Sequence, residues 1–304
     1  MPPAQNPVYT RNFGARDWAI IVAMNVAWGL NVIAVKFAIE MTSPLTAAFL
    51  RQALVALVCI PFLRWVPGRM RLVGLYAVLT GALFYIPINV ALAISDNVGA
   101  LVIASQLGAP FAVVLSVIFL KEQIRLPRIV GLILAFSGVL IVGFDPAVLN
   151  ELLGLTLMAL SALMWAISSL LTRHMRDIRI TTLFAWLGLA GAGILGPLAM
   201  LLEPLAMANL ASLPIAGLGW IAFSAIGSTL IGHGGLSWLV QRHPIGAVMP
   251  YTLIAPLLSI IVSSVIFDTP ITGMMMLGGV FVLIGVAILT IRTAKRGQII
   301  EVSA

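Results

Sequence analysis

Long apolar stretches, separated by short polar segments, follow one another along almost the whole chain. Ten of these stretches have about the length that a helix needs to cross a bilayer. We predict membrane-spanning helices near residues 17–39, 43–64, 70–92, 97–120, 127–144, 151–173, 181–202, 215–241, 246–267 and 271–293. The expected fold class is an all-α integral membrane protein with ten transmembrane helices, because the connecting segments are too short for a soluble domain.

The composition agrees with this pattern and excludes several classes of function. Of the 304 residues, 61% are hydrophobic and only 9% are charged, whereas a soluble domain carries about a quarter charged residues. The single cysteine, Cys59, lies in an apolar run, so it predicts neither an intramolecular disulfide nor a metal cluster. The chain has no P-loop, no Gly-x-Ser-x-Gly motif and no His/Cys/Asp metal set. We therefore expect no cofactor, no bound metal and no enzymatic activity.

The charged residues of the polar segments alternate in sign along the chain. If the N-terminus is cytoplasmic, every Lys and Arg except Lys36 and Arg51 falls in or beside a cytoplasmic segment. The opposite segments carry the acidic residues Glu40, Asp96, Asp145, Glu151, Glu203 and Asp268. By the positive-inside rule, both termini are cytoplasmic, with tails at 1–16 and 294–304. Orientation thus explains the net charge of +7, and we expect no nucleic-acid partner.

The two halves of the chain repeat each other. Ser116-Val-Ile-Phe119 recurs as Ser264-Val-Ile-Phe267, and Pro110 recurs as Pro256, at an offset of about 147 residues. The predicted repeats are 17–144, with spans 1–5, and 151–293, with spans 6–10. Because five crossings is an odd number, the second repeat must be inverted relative to the first. Secondary transporters built in this way place the substrate between the repeats, near the membrane midplane.

Helix-breaking residues occupy corresponding spans of the two halves. A proline inside a helix removes one donor and frees the carbonyl four residues earlier, which bends the helix. We predict hinges in spans 3, 4, 8 and 9, at Pro87, Pro110, Gly234 and Pro256. The alternative is that these residues only allow close helix packing, since proline and glycine are common in membrane helices.

Polar and aromatic side chains concentrate in spans 1, 3, 4, 6, 8 and 9. Inside a bilayer such groups normally face the protein interior or a wet cavity. The candidates for a substrate-binding cavity are Trp28, Asn31, Tyr85, Asn89, Gln106, Trp165, His233 and Tyr251. The alternative is that they only join helices through hydrogen bonds. No Asp or Glu lies deep in a span, so His233 is the candidate for proton coupling, unless it serves only as a hydrogen-bonding residue.

Two basic residues lie inside the predicted spans. Lys36 is near the outer end of span 1, and its side chain is expected to extend to the outer interface. Arg51 lies about a third of the way into span 2, where a charge costs a few kcal/mol unless it is paired or hydrated. Arg51 either binds a carboxylate group of the substrate or pairs with Glu40 and braces the bundle.

Several short motifs match a known superfamily of carriers. They are Ala27-Trp28-Gly29 with Lys36, Pro44 with Phe49-Leu-Arg51, Phe119-Leu-Lys-Glu122, and Gly131 with Ser137-Gly138. With the ten spans and the five-plus-five repeat, the chain resembles the drug/metabolite transporter superfamily, in particular its EamA-type members. Within that superfamily it is most similar to the bacterial amino-acid exporters.

The resemblance implies a function. It implies export of aromatic and other neutral amino acids across a bacterial inner membrane, through a cavity ringed by spans 1, 3, 4, 6, 8 and 9. The expected partners are a small-molecule substrate and the lipid bilayer, and a monomer is the simplest expectation. A drug or other metabolite carrier of the same superfamily and a channel-like pore are the alternatives.

Overall fold

The computed structural model describes residues 13–175, 177–240 and 242–302. These residues contain ten helices that are long and apolar enough to cross a membrane: Ala15–Met41, Pro44–Phe62, Met70–Ile94, Val98–Leu120, Leu126–Gly143, Pro146–Thr172, Ile180–Leu202, Ile215–Val240, Met249–Ile266 and Gly273–Ile291. The predicted all-α fold with ten spans is confirmed. The helix of span 10 continues to Val302, into the predicted C-terminal tail. Arg11 and Arg176, which contribute to the predicted charge pattern, lie outside the described residues, as do the side chains of Arg292, Lys295 and Arg296.

Four spans depart from α-helical geometry close to the predicted breakers. Span 3 is π-helical over Leu79–Leu83, and span 4 is interrupted between Val98–Ser105 and Gly108–Leu120. Span 8 is π-helical over Phe223–His233, and span 9 begins with a 3₁₀ segment, Met249–Leu253. In spans 3, 4 and 9 the irregular segment contains or adjoins the carbonyl that the proline four residues later leaves without its helical donor. Whether these segments bend during transport stays a prediction.

The connections between spans form two faces. On one face, Arg173 donates to Glu122 at 2.8 Å, and Arg69 donates to Asp177 at 2.6 Å, which lowers the pKa of that carboxyl. On the other face, the Glu151 carboxylate accepts from the backbone N–H of Asp96 at 3.0 Å. We call these the basic face and the acidic face. The start of span 1 lies on the basic face.

Glu203 caps span 2 from the neighbouring span 7. Its carboxylate accepts from the backbone N–H groups of Leu45 and Thr46, at 2.9 and 2.8 Å, and from the Thr46 hydroxyl at 2.7 Å. The first N–H groups of a helix have no partner within the helix, and the helix dipole favours a negative charge there. Glu203 therefore ties spans 2 and 7 together at the acidic face.

Replacing this carboxylate is expected to destabilise the fold. Glu203→Gln removes the charge and leaves at most one good acceptor for three donors, so we expect a loss of about 1–2 kcal/mol. Thermal unfolding in detergent should show a midpoint lowered by a few degrees. Glu40→Gln is the matched control, because Glu40 is exposed at the acidic end of span 1. Equal midpoints for the two variants would contradict the capping role.

The spans pack in pairs that correspond between the two halves. Span 1 packs against spans 8 and 9, and span 6 packs against spans 3 and 4. Span 2 packs against span 7, and span 5 against span 10. Exchanging the two halves leaves these relations unchanged. This is the arrangement expected of two repeats related by a twofold axis in the membrane plane.

Glycines bring spans 5 and 10 into backbone contact with the same symmetry. A Cβ on Gly138 would lie 2.4 Å from the carbonyl oxygen of Gly278, and one on Gly285 would lie 2.6 Å from that of Gly131. The two helices therefore run antiparallel. Gly131 and Gly138 correspond to Gly278 and Gly285 at the repeat offset, so the two contacts exchange when the halves are exchanged. The inverted duplication stays a prediction, and these contacts support it.

Candidate functional site

Trp28 and His233, two of the predicted cavity residues, meet beside the π-helical segment of span 8. The Trp28 indole N–H donates to the Ser228 carbonyl at 3.2 Å, and the His233 Nδ1 lies 3.0 Å from the same oxygen. The two ring centroids are 5.2 Å apart in an edge-to-face arrangement. The π-helical turn thus presents one carbonyl to side chains from spans 1 and 8.

This geometry determines which ring nitrogen of His233 carries the proton. A carbonyl oxygen only accepts hydrogen bonds, so Nδ1 must carry the proton in its contact with Ser228. In the neutral imidazole, Nε2 is then an acceptor. The ring is exposed, although it lies well inside span 8, between Trp28 of span 1 and Phe184 of span 7, whose ring centroid is 6.1 Å away. An exposed ring in this position indicates open space within the bundle.

Arg51 of span 2 and Tyr85 of span 3 form a second contact beside span 8, about one turn from the first. The Arg51 guanidinium carbon lies 4.5 Å from the centroid of the Tyr85 ring, and its Nη2 donates to the Ser224 carbonyl at 3.3 Å. Asn89 Nδ2 donates to the Tyr85 carbonyl at 2.9 Å, so these two residues are neighbours, as their spacing predicts. The predicted alternative pairing of Arg51 with Glu40 is wrong, because Arg51 contacts an aromatic ring and a carbonyl instead.

Trp165 lies on the interior side of span 6. At 100° per residue it points away from Thr156, which is exposed together with Leu152 and Leu160 on the outer side of the helix. The Trp165 side chain is nevertheless 44% exposed. Its ring packs against Gly108 of span 4, where a Cβ would lie 2.9 Å from it. Trp165 therefore also borders open space within the bundle.

Gln106 and Asn31 take no part in these contacts. Gln106 Nε2 donates to the neighbouring Ser105 hydroxyl at 3.2 Å, in the interruption of span 4. The Asn31 Oδ1 is buried and has no hydrogen-bond partner among the described residues. Among the described residues, neither side chain hydrogen-bonds to Trp28 or His233.

Tyr251 lies apart from the other candidates, at the basic face. Its ring centroid is 5.3 Å from that of Trp18 and 5.5 Å from that of Phe13, both at the start of span 1. In the same cluster, His243 Nε2 lies 3.1 Å from the Asp17 carboxylate. These residues fasten the start of span 1 to the junction of spans 8 and 9.

Lys36 closes the acidic end of the bundle. Its side chain points toward the acidic face, as expected, but the residue is only 7% exposed and stops short of the interface. Its ammonium donates to the carbonyls of Leu92 and Ser95, at 2.7 and 2.8 Å, where span 3 ends. A cation at a helix C-terminus is favoured by the unpaired carbonyls and the helix dipole. Lys36 thus joins span 1 to span 3.

Among the described residues, the second half has no comparable joint. Spans 6 and 8 hold the positions equivalent to spans 1 and 3, yet within the part of the chain that the structure describes they do not pack together to a comparable extent. The exposed rings of Trp165 and His233 lie on these two spans. The bundle is therefore tight between spans 1 and 3 and open between spans 6 and 8.

Sequence reasoning missed several groups at the site. The Ser228 carbonyl is a binding group only because span 8 is π-helical there, and Phe184 lies in a span that has few polar residues. A cavity of about 320 Å³ between the loops at the acidic face, lined by Ser43, Asn209 and Ser212 among others, was also not predicted. The cluster of Gly227, Gly232 and Gly234 was the only signal for the irregular segment in span 8.

Comparisons with known proteins agree with the fold. The model of the EamA-like transporter family matches the chain twice, over residues 18–144 and 152–291. A protein known from its crystal structure has the same fold, with a TM-score of 0.57 and 19% sequence identity, over 93% of this chain and 99% of that chain.

Curated relatives cover nearly the whole chain. An "Uncharacterized transporter" of Archaeoglobus fulgidus is 26% identical over 90% of this chain and 98% of its own length. A "Probable amino-acid metabolite efflux pump" of Escherichia coli is 25% identical, over 90% of this chain and 94% of its own length. A protein of Salmonella typhimurium with the same name is 23% identical.

Proposed function

This chain belongs to the EamA-like transporter family, whose members are membrane transporters and not enzymes, and on this basis we propose that it exports aromatic and other neutral amino acids. Transport runs across a bacterial inner membrane, with the basic face in the cytoplasm, by alternating access between the two repeats. The contact of Trp28 with His233 at the Ser228 carbonyl carries the proposal, since it places an aromatic ring and a hydrogen-bonding group beside open space near mid-membrane.

The character of the site supports this substrate class. Trp28, Trp165 and Tyr85 offer aromatic surface, and Arg51 is the one cation among the described side chains of the site. A zwitterion with an apolar side chain suits such surroundings, whereas a phosphate ester would require several basic residues. Two of the relatives are named amino-acid metabolite efflux pumps.

Uptake into liposomes tests the substrate class. The purified protein is reconstituted, and uptake is measured for radiolabelled phenylalanine, tryptophan, leucine, glutamate and arginine, beside a cationic drug and a sugar phosphate. We expect saturable uptake of the aromatic and neutral amino acids and only background uptake of the others. Uptake of the drug or the sugar phosphate with no flux of any amino acid would overturn the proposed substrate and favour another carrier of the superfamily.

The interruptions in spans 4 and 9 are proposed as the bending points. Alanine at position 110 or 256 restores the missing N–H donor and favours a continuous helix. Pro110→Ala and Pro256→Ala should each lower the maximal transport rate several-fold and leave KM nearly unchanged. Pro67→Ala, in the exposed loop after span 2, is the control. Unchanged rates in both hinge variants would show that bending does not occur there.

A further inference from the structure

Arg51 is a buried cation without a counter-ion among the described residues. It is 6% exposed, and its Nε has no hydrogen-bond partner. Its two contacts, the Tyr85 ring and the Ser224 carbonyl, are both neutral. The ion pairs of the described residues all involve other groups. A residue that only braced the bundle would not need a charge that is costly to bury.

The surroundings of Arg51 are complementary to an anion. A guanidinium offers a planar fork of N–H donors that fits the two oxygens of a carboxylate. The Ser224 hydroxyl beside it is also buried and without a partner. Both groups therefore have hydrogen-bonding capacity that neighbouring side chains do not use.

The two contacts of Arg51 and His233 with span 8 are spaced like the two charged groups of a zwitterionic amino acid. Arg51 binds the carbonyl of Ser224, and His233 binds the carbonyl of Ser228, four residues further along the same π-helical segment. The two contacts are separated by about one helical turn, ~5 Å. An α-amino acid carries its carboxylate and ammonium groups within this distance. The Arg51 fork is a donor for the first, and the His233 Nε2 is an acceptor for the second.

We propose that Arg51 and His233 clamp the two ends of the amino-acid backbone, with Arg51 binding the α-carboxylate and His233 Nε2 binding the α-ammonium. This inference rests on the proposed function and adds a requirement, namely that a substrate must carry both free groups. When the substrate binds, its carboxylate replaces the Tyr85 ring as the partner of Arg51. The side chain of the substrate then lies against the aromatic residues. Selectivity for this side chain is weaker than selectivity for the two backbone groups.

Competition with phenylalanine analogues tests the clamp in the reconstituted protein. Uptake of radiolabelled phenylalanine is measured with added phenylalanine, phenylalanine amide or 3-phenylpropionate. The amide lacks the carboxylate, and 3-phenylpropionate lacks the ammonium. For the unaltered chain, each analogue should inhibit at least about tenfold more weakly than phenylalanine, about 1.4 kcal/mol.

Substitutions assign the two ends separately. Arg51→Gln should raise the KM for phenylalanine at least about tenfold and abolish the preference for phenylalanine over its amide, while Arg51→Lys keeps part of it. His233→Leu should abolish only the preference over 3-phenylpropionate. Residual transport with changed selectivity shows that a variant is folded.

Three outcomes overturn the clamp. If Arg51→Gln lowers uptake and leaves the order of the competitors unchanged, Arg51 is a structural brace. If the unaltered chain transports phenylalanine and is inhibited equally by the amide, the clamp is wrong while the proposed function stands. If no amino acid is transported, the proposed function fails, and the clamp fails with it.

Discussion

Gly232→Ala is expected to reduce transport by about a hundredfold, because it displaces the Trp28 ring by ~1 Å or more from the site. A Cβ on Gly232 would lie 2.1 Å from the Trp28 Nε1 and 2.6 Å from its Cδ1. Trp28 would lose its hydrogen bond to the Ser228 carbonyl, together with its contact with His233. The initial rate of phenylalanine uptake into liposomes, normalised to reconstituted protein, measures the effect.

Gly219→Ala is the matched control for this variant. Gly219 lies in the same span, and a Cβ there would meet no atom within 4 Å. Gly219→Ala should therefore transport at the normal rate. Alanine is also a better helix former than glycine, so the change should not destabilise the span. If Gly232→Ala and Gly219→Ala transported equally well, the position of Trp28 would be irrelevant to transport and the candidate site would be misplaced.

Lys36→Met is expected to open the acidic end of the bundle. The change leaves the Leu92 and Ser95 carbonyls without their donor, at a cost of about 2 kcal/mol or more to the closed arrangement. This corresponds to roughly a thirtyfold shift towards an arrangement in which spans 1 and 3 separate. Transport should fall strongly, since a carrier that stays open on one side does not complete its cycle.

A cysteine reporter makes this shift measurable. Cys59 is replaced by alanine, which removes the only cysteine, and Ser95→Cys is added, because Ser95 is only 1% exposed in the closed end. An impermeant maleimide added to whole cells should label the reporter slowly with Lys36 present and many times faster with Lys36→Met. Lys36→Arg should stay near the slow rate. Equal labelling in all three would show that Lys36 does not hold spans 1 and 3 together.

The sequence predicts best those features that follow from local chemistry. Apolar length predicts each span, and a proline deprives one known carbonyl of its donor, so the interruption at Gln106 follows from Pro110 alone. The extent of the π-helical segment in span 8 is different. Glycine only permits such a segment. The packing of Trp28 against Gly232, some 200 residues away along the chain, belongs to the tertiary structure.

For the site residues too, the sequence predicts local features but not tertiary contacts. Trp28 and His233 are recognisable as candidates because polar groups in a bilayer need partners, but their meeting at the Ser228 carbonyl is not. Tyr251 was grouped with them because it lies in the predicted span 9. In the structure its ring packs instead against Trp18 and Phe13 at the basic face. Lys36 is buried because span 3 ends beside it, which no local pattern reveals.

Counterflow is the most direct test of the central claim, that this chain is an alternating-access carrier of amino acids. Liposomes containing the protein are loaded with excess unlabelled phenylalanine and diluted into a trace of radiolabelled phenylalanine. A carrier exchanges the two, so the label should accumulate transiently above its equilibrium level, and the initial rate should saturate with external phenylalanine. Flux that rises linearly with concentration and is not stimulated by internal phenylalanine would contradict the account and identify a channel-like pore.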